Sequence, residues 1–365
     1  MRVSLDEGQS RSRIPAESQR RARAAPTRER ATTTESLDIG LVNNMPDAAL
    51  EQTERQFTGL LTAAAGERRI GMKLFCLPEI IRAGAARERV KQRYAPLDEL
   101  WKSRLDGLIV TGTEPRAPDL REEPCWRTLT KLIDWAEANT RSTIWSCLGA
   151  HAAVLHMDGI GRHPLADKCF GLFDCVKVAN HAILKGVPAT LPIPHSRWNE
   201  LREQELVAAG YDILTRSAHA GVDMFARQGN SLFVFFHGHP EYEARTLLGE
   251  YRRDVRRFLR GEREGYPSMP NDYFDEGTAR RLAEFGVRAV ADRREALMEA
   301  FPTCLEESLQ APWRPAAERL MANWLGQLTA PKAQQSKTAI LADTDHASVP
   351  ASARDSAVSA GPCDL

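Results

Sequence analysis

The sequence predicts an α/β fold, a mostly parallel sheet with helices on both faces, arranged as a three-layer sandwich. Three observations carry this. Short apolar strands alternate with amphipathic helical stretches through the first half of the chain. Three of those strands end in loops bearing polar or reactive residues, at Asn43-Asn44, Thr111-Gly112 and Ser146-Cys147. The segment Ser231–Phe236, SLFVFF, is almost wholly apolar, as a strand buried on both faces should be.

Taken in order, Leu37–Val42 reads as the first strand and Asn43-Asn44-Met45-Pro46 as its closing loop. Asp47 can cap a helix whose apolar face is Leu50, Phe57, Leu60 and Leu61. Met72–Leu77 and Leu105–Val110 read as strands, the second running into the turn Thr111–Pro115. Trp126–Ala136 has a helical period, and Thr143–Trp145 is a short strand leading to Ser146-Cys147. Beyond Ile160 the pattern changes to strands with short turns. Phe170–Val178, Ala189–Pro194 and Asp212–Ser217 are followed by a hairpin of Asp223–Arg227 and Ser231–Phe236 around Gln228-Gly229-Asn230. A helix rich in Glu and Arg spans Ala244–Arg260.

Composition bounds the function. Of 365 residues 42% are hydrophobic and 27% charged, enough to bury a core, and the formal net charge of +0 gives no field that would attract nucleic acid or an anionic membrane. No apolar run approaches the roughly 20 residues needed to span a bilayer. The seven cysteines, at 76, 125, 147, 169, 175, 304 and 363, form no CxxC pair and no metal-ligand spacing, which suits a reducing cytoplasm and predicts no metal site. The expected organisation is a disordered, Arg-rich tail over 1–36, a folded domain over 37–327 and a polar tail over 328–365.

The chemistry centres on Arg141–Val154. A strand runs into Cys147, and Leu148-Gly149-Ala150 opens an Ala-rich helix, so the cysteine stands at a sharp strand-to-helix turn near helix N-terminal N–H groups. Those groups favour a thiolate and can hold an oxyanion, with the backbone of Leu148 and of the Gly112–Thr113 turn as the expected donors. This is nucleophile-elbow logic with Cys in place of Ser. A cysteine nucleophile needs a base, and the base an orienting acid. His239 and Glu241 follow the Ser231–Phe236 strand; His237 competes for the role, but His239 is favoured because Glu241 stands two residues on, across a Pro that fixes the turn.

The pairing of a Cys147 elbow with His239-Pro240-Glu241 resembles the class I glutamine-amidotransferase fold, a flavodoxin-like three-layer sandwich. Within it the chain is similar to the homoserine O-succinyltransferase family. The resemblance rests on an ordered set: Asn44-Met45-Pro46, Asp106–Gly112, Trp126, Cys147, Lys168 before Gly171, and Pro194-His195-Ser196-Arg197. The set continues with Gly238–Tyr242, Arg253-Asp254, Pro270–Phe274 and Asn323-Trp324-Leu325. It implies an O-acyltransferase of methionine biosynthesis that moves a succinyl group from succinyl-CoA to the side-chain hydroxyl of L-homoserine. Cys147 would be the acyl-thioester nucleophile, His239 the base and Glu241 its partner, while Lys168, Ser196 and Arg253 hold the amino acid. It also implies a cytoplasmic homodimer, acyl-CoA as substrate and no cofactor. The position just after the Thr113–Pro115 turn separates succinyl from acetyl donors in the family, and here it is Arg116, or Ala117 when the alignment shifts on the proline. Neither is the acetyl-type glutamate, and Arg116 could pair with a succinyl carboxylate. At Asp47-Ala48-Ala49 the chain lacks the lysines typical of the family. The alternatives are the same chemistry with acetyl-CoA or with serine, a glutamine amidotransferase-like hydrolase, and an inactive relative serving as a regulator.

Overall fold

The computed structural model describes residues 36–302 and 309–330. The expected tails over 1–36 and 328–365 lie almost wholly outside them. In chain order the main elements are β1 Ser36–Val42, α1 Asp47–Ala64, β2 Arg69–Phe75, α2 Gly84–Arg93, α3 Leu97–Leu100, β3 Gly107–Val110, α4 Trp126–Asn139, β4 Ser142–Ser146, α5 Leu148–Asp158 and β5 His163–Lys177. Then come β6 Thr190–Glu200, α6 Glu203–Ala208, β7 Asp212–Ser217, β8 Gly221–Gln228, β9 Leu232–Phe236, α7 Thr246–Leu259, α8 Glu276–Ala291 and α9 Arg314–Thr329.

One sheet of nine strands runs through the described residues in the order β2-β1-β3-β4-β9-β8-β7-β5-β6. The half from β2 to β9 is parallel, as the strand–helix alternation predicts. The half from β9 to β6 is the antiparallel wing foreshadowed by the change of pattern past Ile160. Side chains alternate across the parallel half. Ile39, Leu41, Ile109, Ile144, Val234 and Phe236 pack on one face, with α1, α7, α8 and α9. Val42, Leu108, Val110, Trp145, Phe233 and Phe235 pack on the other, with α4 and α5. Every residue of β9 is buried, so this strand is the middle of both cores.

Some bounds differ from the sequence reading, for physical reasons. β6 continues six residues past Pro194, because as the edge strand it tolerates Pro192 and Pro194, which lack the N–H an inner strand must donate. α2 has no buried residue and no apolar period to reveal it. It is tied to α1 by Arg89 and Arg93, whose guanidinium groups lie 2.9 and 2.8 Å from the buried Glu54 carboxylate. Among the described residues no helix is long and apolar enough to cross a membrane.

Two late motifs serve the frame. Gly171, at φ +138°, lets Asn271 lie directly against β5, where Asn271 N–H donates to Phe170 and Leu172 N–H donates back to Asn271. Trp324 Nε1 donates to Ser142 Oγ at 2.9 Å, fixing α9 to the start of β4.

Candidate active site

The carboxyl ends of the parallel strands are locked together first. Asn44 donates its backbone N–H to Thr111 Oγ1 (2.8 Å) and its side-chain amide to the Thr111 carbonyl (3.2 Å), and accepts from Leu77 N–H (3.1 Å). One buried amide thus joins the loops after β1, β2 and β3. Beside it Arg82 donates to the carbonyls of Met45 and Asn43 and to Asp47 Oδ1, so this loop has a basic group although residues 47–49 supply none.

Cys147 lies between β4 and α5 with φ +51° and ψ −114°, a strained backbone for a residue with a Cβ. The strain is held from two sides. Cys147 N–H donates to Phe236 O at 2.7 Å, tying the turn to the last residue of β9. Gly112 presses on the start of α5, where a Cβ at that position would stand 2.5 Å from Leu148 Cβ and 2.9 Å from Leu148 N. The first-turn N–H of Leu148 has no partner inside its helix, so it is free to face an anion. The Thr113 backbone begins the loop alongside. Cys147 itself is partly exposed.

β4 and β9 are paired in parallel, Ser146 opposite Phe236, so the segment leaving β9 passes over the elbow. Its course is fixed. His237 N–H donates to Asp223 O (2.8 Å) and His239 N–H to Pro194 O (2.7 Å). His239 comes down beside Cys147, near enough for the thiol to act on its charge, and its Nδ1 meets Glu241 Oε1 at 2.8 Å on the other side. Burial disfavours a charged His239, but the Glu241 carboxylate and the neighbouring Cys147 outweigh it and hold its pKa well above the ordinary histidine value. His237 is different. It donates Nδ1–H to Val222 O (2.8 Å), faces His151 (ring centroids 4.9 Å apart), and is pushed by burial down to about 3. It stays neutral, and its Nδ1 proton is committed to Val222 O, whereas His239 has the carboxylate partner a base needs.

Behind this loop lies a buried network. His195 Nε2 is 3.3 Å from Asp223 Oδ1, and Thr215 donates to Asp223 Oδ2 at 2.6 Å. Burial holds His195 below its usual range. Burial also acts to raise Asp223, but its bonds to His195 and Thr215 keep the carboxyl below its ordinary value. With Cys175 Sγ 3.9 Å from His195 Nε2, these residues are the one cluster among the described residues whose ligand types could hold a metal ion. Two of its members, Asp223 and His195, also pack against Gly238.

The sequence-predicted binding residues form a second, connected group. Tyr242 stacks on His239 (centroids 4.3 Å, planes 15° apart) and donates its hydroxyl to Glu250 Oε1 at 2.6 Å. Glu250 Oε2 accepts from Ser196 Oγ and lies 3.7 Å from Lys168 Nζ. Lys168 reaches Asp254 Oδ2 (3.1 Å) and sits 3.9 Å above the Phe170 ring, and Arg253 holds Asp254 Oδ1 (2.9 Å) with its side chain half exposed. Lys168, Ser196 and Arg253 are therefore brought together around two acidic groups and joined through Tyr242 to His239. Glu250 is the member that sequence reasoning missed. Its only local signal is a spacing of three residues before Arg253 on a helix already dense in charge. Arg116 sits on the exposed loop after Thr113, its backbone N–H bound to Glu123 Oε1.

An elbow cysteine, a carboxylate-backed imidazole on it, unpaired helix N–H groups beside it and a cationic, carboxylate-lined cleft next to it can do nucleophilic acyl chemistry on a substrate with charged ends.

The family model described as homoserine O-succinyltransferase matches residues 16–334. Proteins of that name from Rhodopseudomonas palustris and Bradyrhizobium japonicum are each 50% identical, over 298 and 294 residues, covering 81% and 80% of this chain and 90% of each relative. One from Methylorubrum extorquens is 46% identical over 291 residues, 79% of this chain and 86% of that protein. Among solved structures a glutamine amidotransferase from Thermotoga maritima matches with a TM-score of 0.44 at 12% identity, over 80% of this chain and 99% of that one, too distant to bear on activity. The chain belongs to the homoserine O-succinyltransferase family and is an O-acyltransferase.

Proposed function

We propose that this enzyme transfers a succinyl group from succinyl-CoA to the side-chain hydroxyl of L-homoserine, a step of methionine biosynthesis, through a thioester on Cys147. The observation that carries the reading is His239, backed by the Glu241 carboxylate at 2.8 Å and brought to the Cys147 elbow by the parallel pairing of β4 with β9. In the first half-reaction the Cys147 thiolate attacks the thioester carbonyl. The oxyanion is held by the N–H groups of Leu148 and Thr113, the C–S bond to CoA breaks, and the CoA thiolate takes its proton from the His239 imidazolium. In the second, neutral His239 removes the homoserine hydroxyl proton as that oxygen attacks the acyl-enzyme. The Cys147–acyl bond breaks and the thiolate is restored. Glu241 keeps the Nδ1 proton in place and stabilises the imidazolium between steps. Lys168, Ser196 and Arg253 hold the amino acid, with Arg253 suited to its carboxylate. The donor's free carboxylate meets Arg116. Both steps exchange one acyl bond for another without redox change, so acyl-CoA is the only activated species required.

The test is a matrix of donors and acceptors. CoA release is followed with succinyl-CoA or acetyl-CoA against homoserine or serine. The reading expects succinyl-CoA with homoserine to give the highest kcat/KM, with parallel double-reciprocal lines. A preference for acetyl-CoA or serine overturns the substrate assignment. Intersecting lines overturn the thioester. Ammonia release from glutamine with no CoA release moves the site to amide hydrolysis.

A further inference from the structure

The loop from Thr113 to Pro118 leaves β3 beside Leu148, and its Glu114 reaches Arg257 of α7 at 3.4 Å. It therefore spans the ground between the start of α5 and the helix that carries Glu250 and Arg253. It belongs to no strand or helix, so its backbone polar groups need other partners. Two charged side chains supply them. Glu123, 8% exposed, accepts at one oxygen, Oε1, from the N–H groups of both Arg116 (2.5 Å) and Ala117 (2.7 Å). From the other side Arg162 donates to the carbonyls of Ala117 (3.1 Å) and Pro118 (2.8 Å). The anion takes the donors and the cation takes the acceptors of one short stretch. Neither side chain is an ordinary solvated charge. Glu123 also lines an apolar pocket with Leu77, Leu120, Trp126 and Leu129 that reaches Gly112, Thr113 and Leu148.

We propose that Glu123 and Arg162 are positioning residues that clamp this loop, fix where Arg116 stands beside the acyl group, and so set the choice of acyl donor. The proposal rests on the acyl-transfer reading for its consequence, although the clamp itself can be tested without it. Neither residue touches the reacting atoms. With the clamp released, the loop loses its fixed distance from Leu148, and a donor that must place a distal carboxylate suffers more than one ending in a methyl group.

The experiment compares the full-length wild type with Glu123→Ala, Glu123→Gln and Arg162→Ala. It reads kcat/KM for succinyl-CoA and acetyl-CoA, Cys147 alkylation by iodoacetamide, Tm, and tryptic cleavage after Arg116 identified by peptide mass. Loss of two charge-assisted bonds should lower the succinyl-to-acetyl ratio by about tenfold in Glu123→Ala, mainly through the succinyl-CoA KM. Alkylation should stay within about twofold, because the elbow is untouched. Glu123→Gln, which keeps an acceptor oxygen, should recover most of the ratio, and Arg162→Ala should move it in the same direction. Cleavage after Arg116 should rise in both alanine variants. An unchanged ratio in a folded Glu123→Ala, or an equal loss for both donors, overturns the role in donor choice. Unchanged cleavage in both alanine variants overturns the clamp. If the wild type transfers neither acyl group, the acyl-transfer reading fails while the cleavage result still decides the clamp.

Discussion

Replacing Gly238 by alanine should slow the enzyme and lower its stability, because the space a Cβ needs is already filled. That atom would stand 2.4 Å from Ile193 Cγ2, 2.6 Å from Asp223 Oδ1 and 3.0 Å from His195 Nε2. None of the three is a free end. Ile193 is 1% exposed, and Asp223 is tied to both His195 and Thr215. The loop must move instead, by several tenths of an ångström, and His239 is the next residue. Overpacking of this kind costs about 1–3 kcal/mol. A displaced base costs more in rate, on the order of 10²-fold for a shift near 1 Å. The control is Gly249→Ala in α7, where a Cβ meets nothing within 4 Å and helix propensity gives a gain of roughly 0.5–1 kcal/mol. Thermal unfolding and kcat, measured side by side, should show Gly238→Ala lower in both and Gly249→Ala unchanged in rate with an equal or higher Tm. A Gly238→Ala enzyme with wild-type kcat and Tm would refute the claim that this packing places His239.

Glu241→Gln keeps a polar partner for His239 Nδ1 but removes the charge that lifts its pKa. The imidazolium should then be lost at lower pH, and alkylation of Cys147 by iodoacetamide near neutral pH should slow; an unchanged rate would remove Glu241 from the site. The same shift has a stability signature. Because the folded pKa of His239 lies above the unfolded value of about 6.5, its contribution is complete below that pH and is lost as pH rises through the folded value. Tm against pH should show this loss at lower pH in Glu241→Gln. Ser196→Ala, which takes one hydroxyl from Glu250, should raise the homoserine KM by about tenfold with little effect on acylation by the donor alone; an equal effect on both half-reactions would place Ser196 elsewhere. Arg116→Ala should lower the succinyl-to-acetyl kcat/KM ratio, and an unchanged ratio would dismiss its pairing with the succinyl carboxylate.

The elbow was readable because its signal is local. A strand, a cysteine and an Ala-rich helix follow one another within a few residues, and the apolar run Ser231–Phe236 marks its own place at the centre of the sheet. Of the two histidines after that run, spacing favours His239, because Glu241 stands two residues on across Pro240, but it leaves His237 in competition. Both lie on one short segment, and it takes the bond of His237 to Val222, made across the antiparallel wing, to show that its Nδ1 proton is already committed. The grouping of Lys168, Ser196 and Arg253 was readable only as a resemblance, because its contacts join distant parts of the chain. Lys168 and Asp254 are 86 residues apart, and Ser196 and Glu250 are 54 apart. Glu250 and Glu123 are hidden for the same reason. Each is one acid among many charged neighbours, and its partners are chosen by the fold. α2 escapes any periodic reading because it buries nothing and is held by charge.

The central claim is that Cys147 carries the acyl group. Wild type and Cys147→Ala are mixed briefly with succinyl-CoA, their intact masses are recorded, and homoserine is then added. The account predicts one succinyl group on the wild type, located to Cys147 by peptide mass and removed by homoserine, and none on Cys147→Ala. A wild type that turns over without ever gaining mass, or an adduct that persists in Cys147→Ala, would contradict it.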